Sequence, residues 1–299
     1  MPNRGYTYRE QVGPRDAGRT VLEYLARRYT HTSEAEWQAR LDTGEVELDG
    51  RRATAGDRLR PGASLVWHRP PWEEPEVPLH FELVHEDAEL VAVSKPSGLP
   101  TMPAGGFLEH TLMALVQQQW PEASPMHRLG RGTSGLVLFA RTPLARARMQ
   151  QSWRSHEVRK VYRALASGVL AQPQFTIDAP IGLIHHPKLG ELFAATPDGK
   201  DATSHVTVRE QRASESLVDV LIDTGRPHQI RIHLASVGHP LVGDPLYTAG
   251  GQPKQDALPG DLGYLLHAME LRFVHPATGA ELTLTNQPPA ALRTSDAVS

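Results

Sequence analysis

Between Thr20 and Tyr29 the apolar side chains return at helical spacing, with Val21, Leu22, Leu25 and Tyr29 on one face. A second helix is predicted over SEAEWQARLDTG, where Ser33 and Glu36 form a capping box and Gly44 ends the run. The period then changes to two. Val46 and Leu48 alternate, Asp49-Gly50 marks a hairpin turn, and SLVWHRP supplies a further short strand. Further along, strands are predicted at 82–85 and 90–94, then a helix over HTLMALVQQQW that buries Leu112, Leu115 and Val116. An apolar strand follows at 136–140. Thr142 and Pro143 open a helix as N-cap and first-turn proline. The segment 158–165 alternates as a strand with Lys160, Tyr162 and Ala164 on one face, and 182–201 reads as a loop or long hairpin. Strands at 203–209 and 216–223 precede a helix or turn beginning near Pro227, which places His228 and Arg231 on one face.

This order of elements predicts an α+β fold in two parts. Residues 1–14 are expected to be a flexible tail and 15–70 a small helix-helix-hairpin module. The proline-rich, acidic segment 71–79 reads as a linker, 80–290 as a larger mixed-sheet domain and 291–299 as a second tail.

Composition changes this picture little. The 299 residues include no cysteine, which excludes disulfides and thiolate metal sites and fits a cytoplasmic protein. No apolar run reaches the roughly 18 residues of a membrane span, and the N-terminus lacks the apolar core of a signal peptide. His185 and His186 are adjacent, so on a strand they face opposite sides, and no metal is expected. A formal net charge of −3 carries no global nucleic-acid signal. Locally the balance reverses. From Met126 to Arg163 the basic side chains include Arg128, Arg131, Arg146, Arg148, Arg154 and Lys160, against the acid Glu157. That concentration suits phosphate, and a solvated arginine-rich helix would have the same composition.

Within that region, MHRLGRGTSGLVLFA runs a glycine-rich, basic turn into the apolar strand. His127, Arg128, Leu129, Thr133, Ser134 and Gly135 match the signature of the RluA-type pseudouridine synthases, His-Arg-Leu-Asp-x-x-Thr-Ser-Gly. Four further stretches resemble that family in its order: Lys95-Pro96-Ser97-Gly98, Lys160-Val161-Tyr162-Arg163-Ala164, 224–233 (TGRPHQIRIH), and 265–276 (LLHAMELRFVHP). The segment 15–70 resembles the alpha-L RNA-binding module often fused in front of these enzymes.

The resemblance implies an isomerase that breaks the glycosidic bond of a uridine, rotates the uracil and rejoins it through carbon 5, with no cofactor and no metal. It implies RNA as partner, structured ribosomal or transfer RNA, and a monomer. It carries catalytic roles to Arg128, Tyr162 and Arg231: filling the space of the flipped base, stacking on it, and pairing with the catalytic aspartate. His127, Gly130, Arg131, Thr133, Arg226 and Leu266 are implied to bind substrate. Here, however, Gly130 occupies the aspartate's place, and glycine can act neither as nucleophile nor as base. Two readings follow. Either another carboxylate, with Asp201, Asp223 and Asp244 as candidates, reaches the site, or the chain is an RNA-binding protein that keeps the synthase fold with impaired catalysis. Arg231, robbed of its usual partner, is expected to face solvent, find another carboxylate or contact phosphate, because a buried unpaired charge is costly.

Overall fold

The structure, a computed structural model, describes residues 2–30, 32–257 and 262–295. The chain divides into two compact units, Met1–Glu74 and Pro75–Ser299, and the boundary falls inside the expected linker.

The first unit contains β1 (Tyr6–Gln11), α1 (Val21–Arg28), α2 (Glu34–Asp42), β2 (Val46–Leu48), β3 (Arg51–Arg52) and β4 (Ser64–Arg69). Both helices start on capping boxes: Thr20 with Glu23, and Ser33 with Glu36. The hairpin between β2 and β3 turns on Asp49 and Gly50, both with positive φ (50° and 79°), as a type I′ turn requires. Trp37, Leu25, Val46 and Leu65 form the core between helices and sheet. The expected tail is corrected here: residues 6–11 pair antiparallel with β4 as an edge strand. The sequence hid this strand because YTYREQ carries polar residues between its rings and has no aliphatic face.

The second unit contains β5 (Glu82–Glu86), β6 (Leu90–Lys95), α3 (Leu112–Gln119), β7 (Ser124–Pro125), β8 (Ser134–Ala140), α4 (Pro143–Arg154) and β9 (Arg159–Ser167). These are followed by β10 (Gln174–Ile177), β11 (Ile181–His186), β12 (Gly190–Ala195), β13 (Ser204–Gln211), β14 (Glu215–Ile222), α5 (Gln229–Ser236), β15 (Leu266–Val274) and β16 (Glu281–Thr285). One large sheet runs β10-β13-β14-β9-β15-β8-β6-β5, with β16 added beside β15 and β7 beside β8, while β11 and β12 form a separate hairpin. The near-continuous apolar runs of β6 and β8 follow from burial on both faces. Val91, Val93, Val137 and Phe139 pack under α3, and Leu90, Ala92, Leu136 and Leu138 pack under α4. Helix α5 is likewise covered on two sides. Ile230 and Leu234 meet the sheet, and Ile232 and Ala235 meet the β11–β12 side.

At the centre, β8 and β15 run parallel, pairing Ser134 with His267 and Gly135 with Ala268. Gly135 has φ of 110°, and a Cβ there would lie 2.2 Å from the Ala268 carbonyl oxygen. Only glycine allows that approach. The expected second tail is also revised. Leu292 is buried, its carbonyl accepts a hydrogen bond from Arg163 at 3.1 Å, and the Ser295 N–H donates to Glu210 at 2.7 Å. Residues 296–299 lie outside the described residues.

Candidate functional site

Where β8 and β15 begin, the second unit opens into a cavity of about 610 Å³. Its walls come from the turn before β8, the loop after β6, the start of α5, Tyr162 of β9 and the residues leading into β15.

The turn before β8 is held from beneath. Lys95, fully buried, donates from Nζ to the carbonyls of Pro96 (2.8 Å), Leu99 (2.7 Å) and Arg131 (3.2 Å). Ser97 Oγ donates to Gly132 O at 2.7 Å, and the Gly98 N–H donates to Arg131 O at 2.8 Å. A buried ammonium dissipates its charge only through such acceptors. The lysine-proline segment is therefore the floor on which residues 130–133 rest. Arg131 Nε donates to Gly98 O at 3.0 Å and its guanidinium lies 5.0 Å from the Phe107 ring, so this arginine forms part of the rim.

The other wall is the start of α5. Gln229, buried, uses its whole amide: Oε1 accepts from Thr224 Oγ1 (2.8 Å) and Arg226 N–H (3.0 Å), and Nε2 donates to Thr203 O (2.8 Å) and Ser204 Oγ (3.1 Å). His228 precedes the helix in left-handed backbone, φ 56°, with Nδ1 2.8 Å from the Tyr247 hydroxyl. A non-glycine residue there is strained, and such strain persists only where surrounding contacts over-determine it. Helix α5 thus begins at Gln229, two residues after the proline that marked it in the sequence.

Arg231 projects from this helix start and is 2% exposed. Its Nε and Nη2 donate to the two oxygens of Asp244, at 2.8 and 2.9 Å. Asp244 Oδ1 also accepts from the Leu246 and Tyr247 N–H groups, at 2.8 and 3.0 Å. Burial alone would raise the Asp244 pKa, but the hydrogen bonds and charge of Arg231 outweigh it and hold the carboxyl below its ordinary value. The Arg231 guanidinium lies 4.2 Å from the Tyr264 ring and 5.1 Å from the Tyr247 ring. Of the expected outcomes for this arginine, the structure takes pairing with another carboxylate.

Arg128, Gly130, Arg131, Thr133, Tyr162, Arg226, Arg231 and Leu266 all line the cavity. Burial pushes the Tyr162 phenol up to about 12, so the ring meets the cavity as a neutral hydroxyl. His127 is the exception. It does not line the cavity but stacks on Trp153 at 5.1 Å, and Nε2 accepts from the Leu138 N–H at 3.1 Å. Chain alternation explains the difference, because Arg128 takes the outward side and His127 turns inward. Tyr264 escaped the sequence reading. Its hydroxyl lies 3.1 Å from Thr133 Oγ1, and its one signal was a place two residues before Leu266, the spacing that puts both on one strand face.

The candidate acids stand elsewhere. Asp244 is buried behind Arg231, Asp223 pairs at the surface with His205 at 2.8 Å, and Asp201 is exposed; none of the three lines the cavity. Among the described residues the lining includes four arginines and no carboxylate. No group of three or more His, Cys, Asp or Glu is placed to hold a metal ion among the described residues.

Burial, with a smaller contribution from nearby Lys160, lowers the His127 pKa to about 4. His127→Phe keeps a ring against Trp153 and leaves the Leu138 N–H without its acceptor. A loss of about 1–3 kcal/mol in unfolding free energy is expected. In the natural protein the unfolded chain takes up this proton near pH 6.5 while the folded chain does not. Stability should fall as pH drops from there toward 4, and urea unfolding across that range should show a shallower fall in the variant. An unchanged slope would assign the pH dependence to other groups.

Comparison with known proteins gives a consistent result. Residues 89–236 match the family model described as RNA pseudouridylate synthase. The chain is 41% identical over 280 residues to an uncharacterized RNA pseudouridine synthase of Synechocystis, covering 92% of this chain and 96% of that one. It is 32% identical to the ribosomal large subunit pseudouridine synthase D of Xanthomonas campestris, covering 93% and 88%. Among solved structures, human RNA pseudouridylate synthase domain containing 1 aligns with a TM-score of 0.56 at 22% identity, over 76% of this chain and 96% of that one. The latter likeness is one of fold.

Proposed function

This chain belongs to the RluA-type family of RNA pseudouridine synthases, and from that premise we propose that its cavity captures a uridine extruded from structured ribosomal or transfer RNA. One observation carries the reading: four arginines and the Tyr162 ring converge on one cavity whose described lining holds no acid. Arginine guanidinium groups suit phosphate, and an aromatic face suits a base removed from its stack. In this reading Arg128 fills the space the base leaves and Tyr162 stacks on the uracil. Arg226 and Arg131 meet the flanking phosphates, and Leu266 gives the base an apolar neighbour. Arg231 is held by Asp244 as a fixed part of the wall.

Isomerisation further requires a carboxylate at the anomeric carbon or at the carbon beside it. The acid-free lining favours a second reading for this chain, that of an RNA-binding protein which keeps the synthase fold and has impaired catalysis. Both readings share the binding step. Titration of labelled ribosomal and transfer RNA should give an affinity that Tyr162→Ala lowers by about 10- to 100-fold, since one base stack contributes about 1–3 kcal/mol. Tyr162→Phe should keep most of it. Equal binding by the alanine variant would move the RNA site away from this cavity.

A further inference from the structure

The first unit carries a ring ladder that the cavity does not use. In the β1–β4 pair, Tyr6 lies opposite Arg69 and Tyr8 opposite Trp67, on one face of the sheet. Tyr8 stacks on Trp67 with centroids 5.0 Å apart at 16°, and Tyr6 meets Tyr8 edge-on at 4.8 Å. At its inner end Trp67 contacts the buried Trp37 at 4.9 Å, and the Arg40 guanidinium lies 4.6 and 4.7 Å from these two rings. The outer end is uncovered, with Tyr6 47% and Tyr8 37% exposed. Arg69 lies there too, its guanidinium 3.5 Å from the Trp72 ring centroid and 5.8 Å from that of Trp67. It forms no ion pair among the described residues.

We propose that this outer end of the β1–β4 face is a second RNA contact, at which unpaired bases stack on Tyr6 and Tyr8 beside the Arg69 guanidinium. The proposal rests on the RNA-binding reading and adds a substrate feature to it, a single-stranded segment. Two exposed aromatic rings beside a planar cation left without a carboxylate are the chemistry that holds bases irrespective of sequence. An apolar protein partner would be served as well by aliphatic side chains, which this end lacks. The strand that carries both tyrosines lies outside the 15–70 segment that resembles an RNA-binding module, so the contact is an addition to that module. Position supports it further. The rings are already ordered by Trp67, so a base that stacks on them loses its own freedom and the protein loses little.

The test is fluorescence anisotropy with the full chain, an unpaired oligoadenylate and a blunt RNA duplex. The Tyr6→Ala, Tyr8→Ala double variant is expected to bind oligoadenylate at least tenfold more weakly, with duplex affinity within twofold of the natural chain. The corresponding Tyr→Phe pair should retain binding, and Arg69→Gln should weaken it and reduce its salt dependence. An unchanged thermal midpoint in the alanine pair would attribute the loss to the surface. Equal oligoadenylate binding by the natural chain and the alanine pair overturns the proposal. A change of oligomeric state at unchanged RNA affinity also overturns it, because the face would then join two copies. If ribosomal RNA still binds and responds to Tyr162→Ala, only this inference falls. If the natural chain binds no RNA of any kind, the functional reading falls with it.

Discussion

Gly130→Asp is expected to raise the rate of pseudouridine formation in bulk ribosomal and transfer RNA at least a hundredfold over the natural protein. A positioned acid-base group contributes about 10²–10⁴ in rate, and the position for it is already built. Gly130 lines the cavity and is exposed to it. It is absent from the glycines with positive φ, so an aspartate there meets no left-handed strain. Its carbonyl accepts from the Thr133 N–H at 3.0 Å, and the neighbouring Arg131 carbonyl is gripped by Lys95 and Gly98. A new carboxylate would therefore start from a fixed backbone, facing the cavity that holds Tyr162 and Arg231. The assay is pseudouridine content after incubation with each purified protein. A natural protein that is already fast, with no gain in the variant, would show that a different carboxylate reaches the uridine. Alanine changes at Asp201, Asp223 and Asp244 would then locate it.

Asp244→Ala is expected to cost about 3–5 kcal/mol of unfolding free energy, because it deprives a buried guanidinium of its bidentate acceptor. Two backbone N–H groups, of Leu246 and Tyr247, lose their acceptor at the same time. The pH dependence gives a second readout. The Asp244 carboxyl is held below its ordinary value in the folded chain, so its contribution is fully present above about pH 4. It is lost as pH falls through the lowered folded value. Urea midpoints should therefore decline on acidification in the natural protein more steeply than in the variant. A loss under about 1 kcal/mol would mean that Arg231 is held in place by its other contacts.

Local chemistry made much of this fold readable. Ser33 with Glu36, Asp49 with Gly50, and Thr142 with Pro143 each fix backbone geometry within a few residues, and each element starts or turns where those pairs stand. The same holds for one cavity loop, because Thr224, Arg226 and Gln229 hydrogen-bond one another within a short stretch. What stayed hidden was pairing at a distance. Asp244 shares the motif region of Arg231 but meets it only after the chain has turned back over 13 residues. The strand β1 depends on β4, almost 60 positions later, for its hydrogen bonds, and its own pattern of rings and charges names neither a buried nor an open face. His127 and Arg128 are neighbours in one motif, and only tertiary packing decides which of them turns inward to the Leu138 amide.

The parallel seam between β8 and β15 has a consequence for how the protein comes into being. Ser134 and His267 touch across 133 residues of chain, and Tyr264 and Leu266 complete a cavity that residues 128–133 begin. At a synthesis rate of about 5–20 residues per second, roughly 7–27 s separate the appearance of these two edges. Through that interval β8 exists without its parallel partner β15, and the cavity lacks the part of its wall that Tyr264 and Leu266 supply. On the proposed reading, the cavity can therefore receive a base only after almost all of the chain has been made. Late closure acts as a timer set by strand order.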